Sequence, residues 1–291
     1  AIMTSFDMSA PGRQGFLLST TPQFWQNLAP MAKAWGSERF YESGMEEMQA
    51  RPEWEAYKKA GGAFTDVHGL LGSMEEAFAT KLTDKLPIVA RSGRAHTFFL
   101  NRLRMDTFSR LVEEAKKSGI ADPLTDSKFM DSATHYVNTA TGRGRLPGKL
   151  QRSAEALNTV FFSPRLLISR AETFNPKYYA SLSPVVRKAA IINNLAAAGA
   201  ATTAISLASL IPGVTVGLNP LDADFGKAKD GNTRFDLFAG HLQLIRAASQ
   251  LTDIAVSGAQ GEKTHFGNPA HPVTAWDVTE RFFENKTSPV A

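Results

Sequence analysis

From Ala189 to Leu221 the chain carries no charged side chain, a run of 33 residues bounded by Lys188 and Asp222. A run this long must be buried or placed in lipid, because water does not stabilise so much uncharged surface. The stretch from Ala189 to Ile211 exceeds the roughly 20 apolar residues that a membrane-spanning helix needs. Its quality is poor, however. Asn193, Asn194, Thr202, Thr203, Ser206 and Ser209 interrupt it, alanine adds little transfer energy, and Pro212-Gly213 stops a helix before the run ends. The small residues around Ala196–Ala201 instead let a neighbouring helix approach closely. The expectation is a buried central helix within 189–221, with membrane insertion as a conditional second state.

Helix starts elsewhere follow a repeated grammar. Thr21-Pro22, Ser163-Pro164, Asn175-Pro176 and Ser183-Pro184 each set a capping side chain before a proline, which has no N–H to leave unpaired at the first helical position. Ser73 with Glu76 reads as a capping box. The clearest helix runs from Ser92 to about Lys117 and ends at Gly119. Its apolar positions Ala95, Phe99, Leu103, Leu111, Val112 and Ala115 keep the 3.6-residue period. Further helices are expected at 126–140, 149–162, 239–257 (closed by Gly258) and 274–286. Asp230-Gly231, between two short alternating runs, signals a hairpin, since both central residues of a type I′ turn need positive φ. The fold class is therefore mainly α: an irregular multi-helix domain with one small β-hairpin near 225–236. It is read as a single module, with N-terminal helices over 1–90 and a basic helical middle over 91–188. The apolar helix over 189–221, the hairpin over 222–236 and C-terminal helices over 237–291 complete it.

Composition narrows the chemistry. At 291 residues, with 43% hydrophobic and 21% charged, the chain is globular in character. Cysteine is absent, which removes disulfide scaffolds, thiol nucleophiles and thiolate-ligated metals together. The net charge of +4 points to no partner, but its distribution does. Arg91 to Lys188 holds 17 Lys/Arg against 8 Asp/Glu, while the remainder is acidic. Within this basic middle, Gly142-Arg143-Gly144-Arg145-Leu146-Pro147-Gly148-Lys149 lacks the ending of a nucleotide-binding P-loop. Two readings stand: a solvated face, or a surface that meets a polyanion through Arg143, Arg145, Lys149, Arg152, Arg165 and Arg170. Phe161, Phe162, Tyr178 and Tyr179 are interleaved with it, as bases stacking on protein would require, and as a core would also require.

Other motifs fall short. Asp224-Phe225-Gly226 has the letters of a kinase metal-binding triplet without the rest of that set. Asp222, Asp224, Asp230 and Asp236 are clustered, yet the spacing fails the calcium-loop pattern, because Gly226 and Lys227 occupy the fifth and sixth positions. Turn chemistry explains them better. The six histidines show no zinc-binding spacing, and no nucleophile elbow occurs. No catalytic residue, metal or cofactor is assigned, and a non-enzyme is favoured.

The opening Ala1-Ile2-Met3-Thr4-Ser5-Phe6-Asp7 is not a secretory signal, and both ends read as cuts in a longer polypeptide. Several blocks together resemble a domain of the large polyvalent proteins of tailed phages and mobile elements. They are Ser5–Gly15, Ala140–Gly144, Leu157–Arg165, Asp222-Ala223-Asp224-Phe225-Gly226-Lys227 followed by Gly231–Asp236, and Asn285–Pro289. The sequence departs from that pattern at Leu237-Phe238-Ala239-Gly240, where a Trp is common, which bears on local packing. The resemblance implies a structural or interaction module of an internal virion or DNA-ejection protein, located in the virion and, after delivery, in the host envelope or cytoplasm. The partners it implies are the remainder of its own polypeptide, other virion or ejection proteins, DNA, the host membrane during delivery, or further copies of itself. Two alternatives remain: a non-catalytic module of a giant virion enzyme, and a membrane-active part of an ejection conduit.

Overall fold

The computed structural model describes residues 10–65, 87–146, 164–267 and 273–284. Short helices come first: α1 (Ala10–Arg13), a 3-10 turn (Phe16–Leu18), α2 (Pro22–Gln26), α3 (Leu28–Gly36), α4 (Glu38–Gln49) and α5 (Trp54–Lys59). The long α6 (Pro87–Lys117) and α7 (Ser127–Ala140) follow, then α8 (Pro164–Glu172), α9 (Pro176–Ser181) and α10 (Pro184–Ala208). Three strands, β1 (Val214–Val216), β2 (Lys227–Asp230) and β3 (Thr233–Asp236), precede α11 (Leu242–Gln260) and α12 (Ala275–Glu284). The protein is thus mainly helical with a small antiparallel sheet. The described residues divide by their contacts into two compact units, residues 10–65, 87–146 and 164–197, and residues 198–267 with 273–284.

The first unit is organised around α6. All six positions picked out by the helical period in the sequence are buried there, joined by Phe98, Met105 and Phe108. Phe24, Met31 and Met48 from the N-terminal helices and Phe129, Tyr136 and Val137 of α7 belong to the same core. A polar clamp fixes the N-terminal helices in register. Asp106 of α6 accepts from Asn27 Nδ2 and Arg51 Nη1, both at 2.6 Å, and Arg102 Nε donates to Asn27 Oδ1 at 3.0 Å.

Arg104 is the deepest charge, fully buried on α6. It has no carboxylate within ion-pair distance among the described residues. Its guanidinium donates instead to Thr141 Oγ1 (2.9 Å), Thr65 Oγ1 (2.7 Å), Asn101 Oδ1 (3.3 Å) and the Thr141 carbonyl (3.4 Å). Asn101 Nδ2 completes the knot by donating to the Thr65 carbonyl. Burial, reinforced by the like charge of Arg143 and opposed by Tyr57, pushes the Arg104 pKa down to about 9, so the group stays cationic at neutral pH.

The helix-start grammar holds for proline more than for the caps. Asn175 Oδ1 accepts from Lys177 N at 3.0 Å as expected. The Thr21 hydroxyl turns back to the Leu18 carbonyl instead, and the buried Ser183 hydroxyl has no partner among the described residues, its backbone N–H donating to Ser132 Oγ. Ser163, Ser73 with Glu76, and the helix expected at 149–162 lie outside the described residues. At the C-terminal side, α11 runs through Gly258 and ends at Gly261, at φ 69°, with Glu262 N donating to the Ser257 carbonyl.

The chain from Pro184 onward extends one expectation and overturns another. The hairpin forms with Asp230 opposite Thr233 and Ala228 opposite Phe235, but β1 adds a third strand, pairing Thr215 with Lys229. The charge-free run therefore splits into a helix to Ala208 and a strand from Val214. Nor is that helix a buried one. Only a stripe of Val186, Ala189, Ala190, Asn193, Ala197, Ala201 and Ile205 is buried, whereas Ile191, Ile192, Leu195 and Leu207 are exposed.

Two outcomes follow from these placements. Arg104→Ala should cost about 3–5 kcal/mol in urea unfolding, because it opens a cavity and strands the Thr65, Thr141 and Asn101 acceptors. Gly231 sits at φ 54° in the hairpin turn, so Gly231→Val should lower the melting temperature, whereas Gly231→Asn should be nearly neutral.

Candidate functional site

The basic middle does not form one exposed strip. After α7, the chain turns at Thr141-Gly142, and Gly144 N donates to the Arg165 carbonyl at the start of α8. Arg143 and Arg165 are half-buried and neighbours in charge; burial first, and Arg165 second, hold the Arg143 guanidinium below its usual range. Arg145 is exposed, paired with Asp131 at 2.7 Å. Arg170 is buried on α8. Lys149, Arg152, Phe161 and Phe162 lie outside the described residues. Of the tyrosines, Tyr178 is buried edge-on against His135, and burial raises its pKa well above the ordinary value. Tyr179 donates its hydroxyl to the Thr173 carbonyl at 2.7 Å. Neither ring stands as an open stacking platform.

One pairing here was not visible in the sequence. His135 Nε2 lies 3.0 Å from Glu172 Oε1, and Thr139 Oγ1 donates to Glu172 Oε2 at 2.7 Å. His135 and Thr139 are one turn apart on α7, so one carboxylate of α8 takes both. The spacing on α7 was legible; the arrival of Glu172 depended on tertiary packing. With Ser169 Oγ donating to the Thr139 carbonyl, the group clamps α7 to α8.

The second unit assembles the Asp224–Gly231 motif into a cleft. A Cβ at position 217 would lie 2.2 Å from the Asp224 carbonyl oxygen, so only glycine permits this approach. Gly226 N donates to the Gly217 carbonyl and Gly217 N to the Lys227 carbonyl, which tie the turn to the chain after β1. Phe225 pairs with Gly217 in an isolated bridge, and Asp230-Gly231 forms the hairpin turn. Asp224 Oδ1 accepts from Arg234 Nε at 2.6 Å across the hairpin. Lys227 Nζ and Arg246 Nη1, from β2 and α11, both donate to the Ala223 carbonyl. Asp236 is spent on backbone, accepting from Phe238 N and Gly240 N, beside Ala239 at φ 52°. The cleft of about 430 Å³ is lined by Asp224, Lys227, Arg234, Gln243, Arg246 and Phe282. The aspartates thus act in turns and ion pairs, and among the described residues no three His, Asp or Glu side chains converge as metal ligands.

Comparison of the chain with protein-family models, curated proteins and solved structures finds no match.

The Arg234 hydrogen bond, helped by the charges of Arg234, Lys227 and Lys229 against a smaller desolvation, holds the Asp224 carboxyl below its ordinary value of 3.8. The pair therefore stabilises the fold above that ordinary value and loses its contribution as pH falls through the lower, folded one. Carboxyl NMR titration should place the Asp224 midpoint below that of exposed aspartates, and Arg234→Gln should raise it.

Proposed function

We propose that the chain is a structural and docking module of a large virion-internal phage or mobile-element polypeptide, and that the outward face of α10 is its docking face. The polarity of this helix carries the reading. A surface helix of a soluble domain turns its large apolar side chains inward and its charges outward. In α10 the outer side is apolar as well: Val186, Ile205, four alanines and Asn193 form the buried stripe, while Ile191, Ile192, Leu195 and Leu207 face outward, Leu195 at 69% exposure. No charge interrupts the helix beyond Lys188. An apolar helix from the same long polypeptide, or from a companion ejection protein, is the occupant that this face fits. The resemblance to the large polyvalent proteins supports the same setting, with a docking role rather than a catalytic one.

A second reading, contact with a bilayer, rests on one further observation. The 25 residues of α10 span about 37 Å, enough to cross a hydrocarbon core, and only 28% of its most apolar window is buried.

Photo-crosslinkers placed at Leu195 and Leu207 in the full polypeptide test the docking face. Protein crosslinks are expected, and none from either position would end the reading. Flotation with neutral liposomes decides the second reading: the chain is expected to stay in the soluble fraction, and co-flotation would promote lipid over protein as the occupant. Leu195→Glu should abolish the crosslinking partner while changing stability by less than about 0.5 kcal/mol in urea unfolding, because the side chain is exposed.

A further inference from the structure

Two cations in the second unit share one neutral acceptor. Lys227 Nζ donates to the Ala223 carbonyl at 2.7 Å and Arg246 Nη1 donates to the same oxygen at 3.2 Å. A carbonyl oxygen carries only a partial negative charge, so it holds two full positive charges side by side without neutralising either. Among the described residues, the buried Arg246 Nε has no hydrogen-bond partner and Arg246 has no carboxylate partner. Arg234 borders the same cleft. Its Nε is spent on Asp224, and its two Nη groups make no hydrogen bond among the described residues. The cleft therefore presents three cations against a single lining carboxylate, and that carboxylate is already engaged.

This arrangement is held in place before any ligand arrives. The Gly217 approach and the backbone bonds around Gly226 fix the turn that carries Asp224 and Lys227. The β2–β3 register sets Arg234, and α11 supplies Arg246. Lys227 and Arg246, with no carboxylate partner among the described residues, and Arg234, with its Nη edge open, border one space from separate elements, which makes an anion site.

We propose that this cleft binds a phosphate group, whose oxygens replace the Ala223 carbonyl as acceptor for Lys227 and Arg246 and receive the open fork of Arg234. The number of donors selects the ligand. A planar carboxylate offers two oxygens and is satisfied by one guanidinium fork, whereas a phosphate offers acceptor oxygens in several directions, matching donors from β2, β3 and α11. The cleft volume of about 430 Å³ exceeds a phosphate alone, and Phe282 lines it with an apolar wall, so the phosphate is carried by a larger group. A phosphorylated small molecule and the backbone of a nucleic-acid strand share this chemistry. The site does not use α10, so it stands or falls independently of the docking face.

Calorimetry on the full chain at low ionic strength, with inorganic phosphate and with a short oligothymidylate as probes, tests the proposal. Both Lys227→Gln and Arg246→Gln should weaken phosphate binding about tenfold, as expected for losing a charge-assisted contact. Arg145→Gln, whose side chain is in the other unit, should leave it unchanged. If the oligothymidylate competes with phosphate and weakens in the same variants, the source is a nucleic-acid strand. If phosphate binding alone responds, the source is a small phosphorylated ligand. Absence of phosphate binding, or binding equal in the wild type and both variants, overturns the site. Circular dichroism melting checks each variant, and Arg234→Gln carries the test should Arg246→Gln lower the melting temperature.

Discussion

The first unit depends on a buried cation with no carboxylate partner among the described residues. Arg104 holds together pieces of chain that are far apart in sequence, taking the Thr65 hydroxyl on one side and both oxygens of Thr141 on the other. Burying a guanidinium is costly unless its N–H groups are met, and here neutral oxygens meet them. Hydroxyl and amide acceptors give direction without full charge, so the knot specifies geometry more than it stabilises. Thr141 ends α7, and the basic loop follows from it. The place of Arg143 beside Arg165 therefore descends from the knot, and so does the half-burial of both.

The second unit follows a different logic. Its small sheet buries little, with Ala228 the one buried strand residue, and all of β3 is exposed. What fixes it is backbone: the bridge between Gly217 and Phe225, the Asp236 carboxylate on two N–H groups, and the hairpin turn. Exposed large apolar side chains, among them Leu218, Phe235, Trp276 and Phe283, accompany that thin core. A unit organised by turns keeps polar and charged groups at set positions without a deep apolar interior. This is a suitable frame for a charged cleft and a poor one for independent stability.

Much of this was legible in the sequence where the cause is local. The period of α6, its end near Gly119, the Asn175 cap and the Asp230-Gly231 turn each depend on residues within a few positions, and each appears as read. The misses share a different cause. The Thr21 hydroxyl could accept from an N–H of the following helix or donate to the preceding turn, and it donates to the Leu18 carbonyl. β1 is three residues long, too short to show a period of its own, and becomes a strand only because β2 offers an edge. The basic residues were counted correctly but not placed, since Arg170 and Arg104 are buried and Arg145 is paired. The cleft was half visible: the motif named Asp224 and Lys227, whereas Arg246 and Phe282 reach it from helices later in the chain.

The same distinction explains α10. Composition said that the run is apolar, and burial was the natural inference, but the two asparagines decide otherwise. Asn193 Nδ2 donates to Tyr136 OH at 2.6 Å, and Asn194 Nδ2 donates to Tyr179 OH at 2.5 Å. Burial pushes the Tyr136 hydroxyl up to about 12 and raises that of Tyr179, so both remain neutral acceptors at physiological pH. These bonds set the rotation of the helix about its own axis. Once Asn193 faces inward, the period of the helix carries Ala197 and Ala201 inward with it, and Ile192, Leu195 and Leu207 are left outside. The polar residues that weaken the run as a membrane span are thus the ones that turn its apolar side outward, and the outward face is a consequence of two side-chain amides rather than of surplus hydrophobicity.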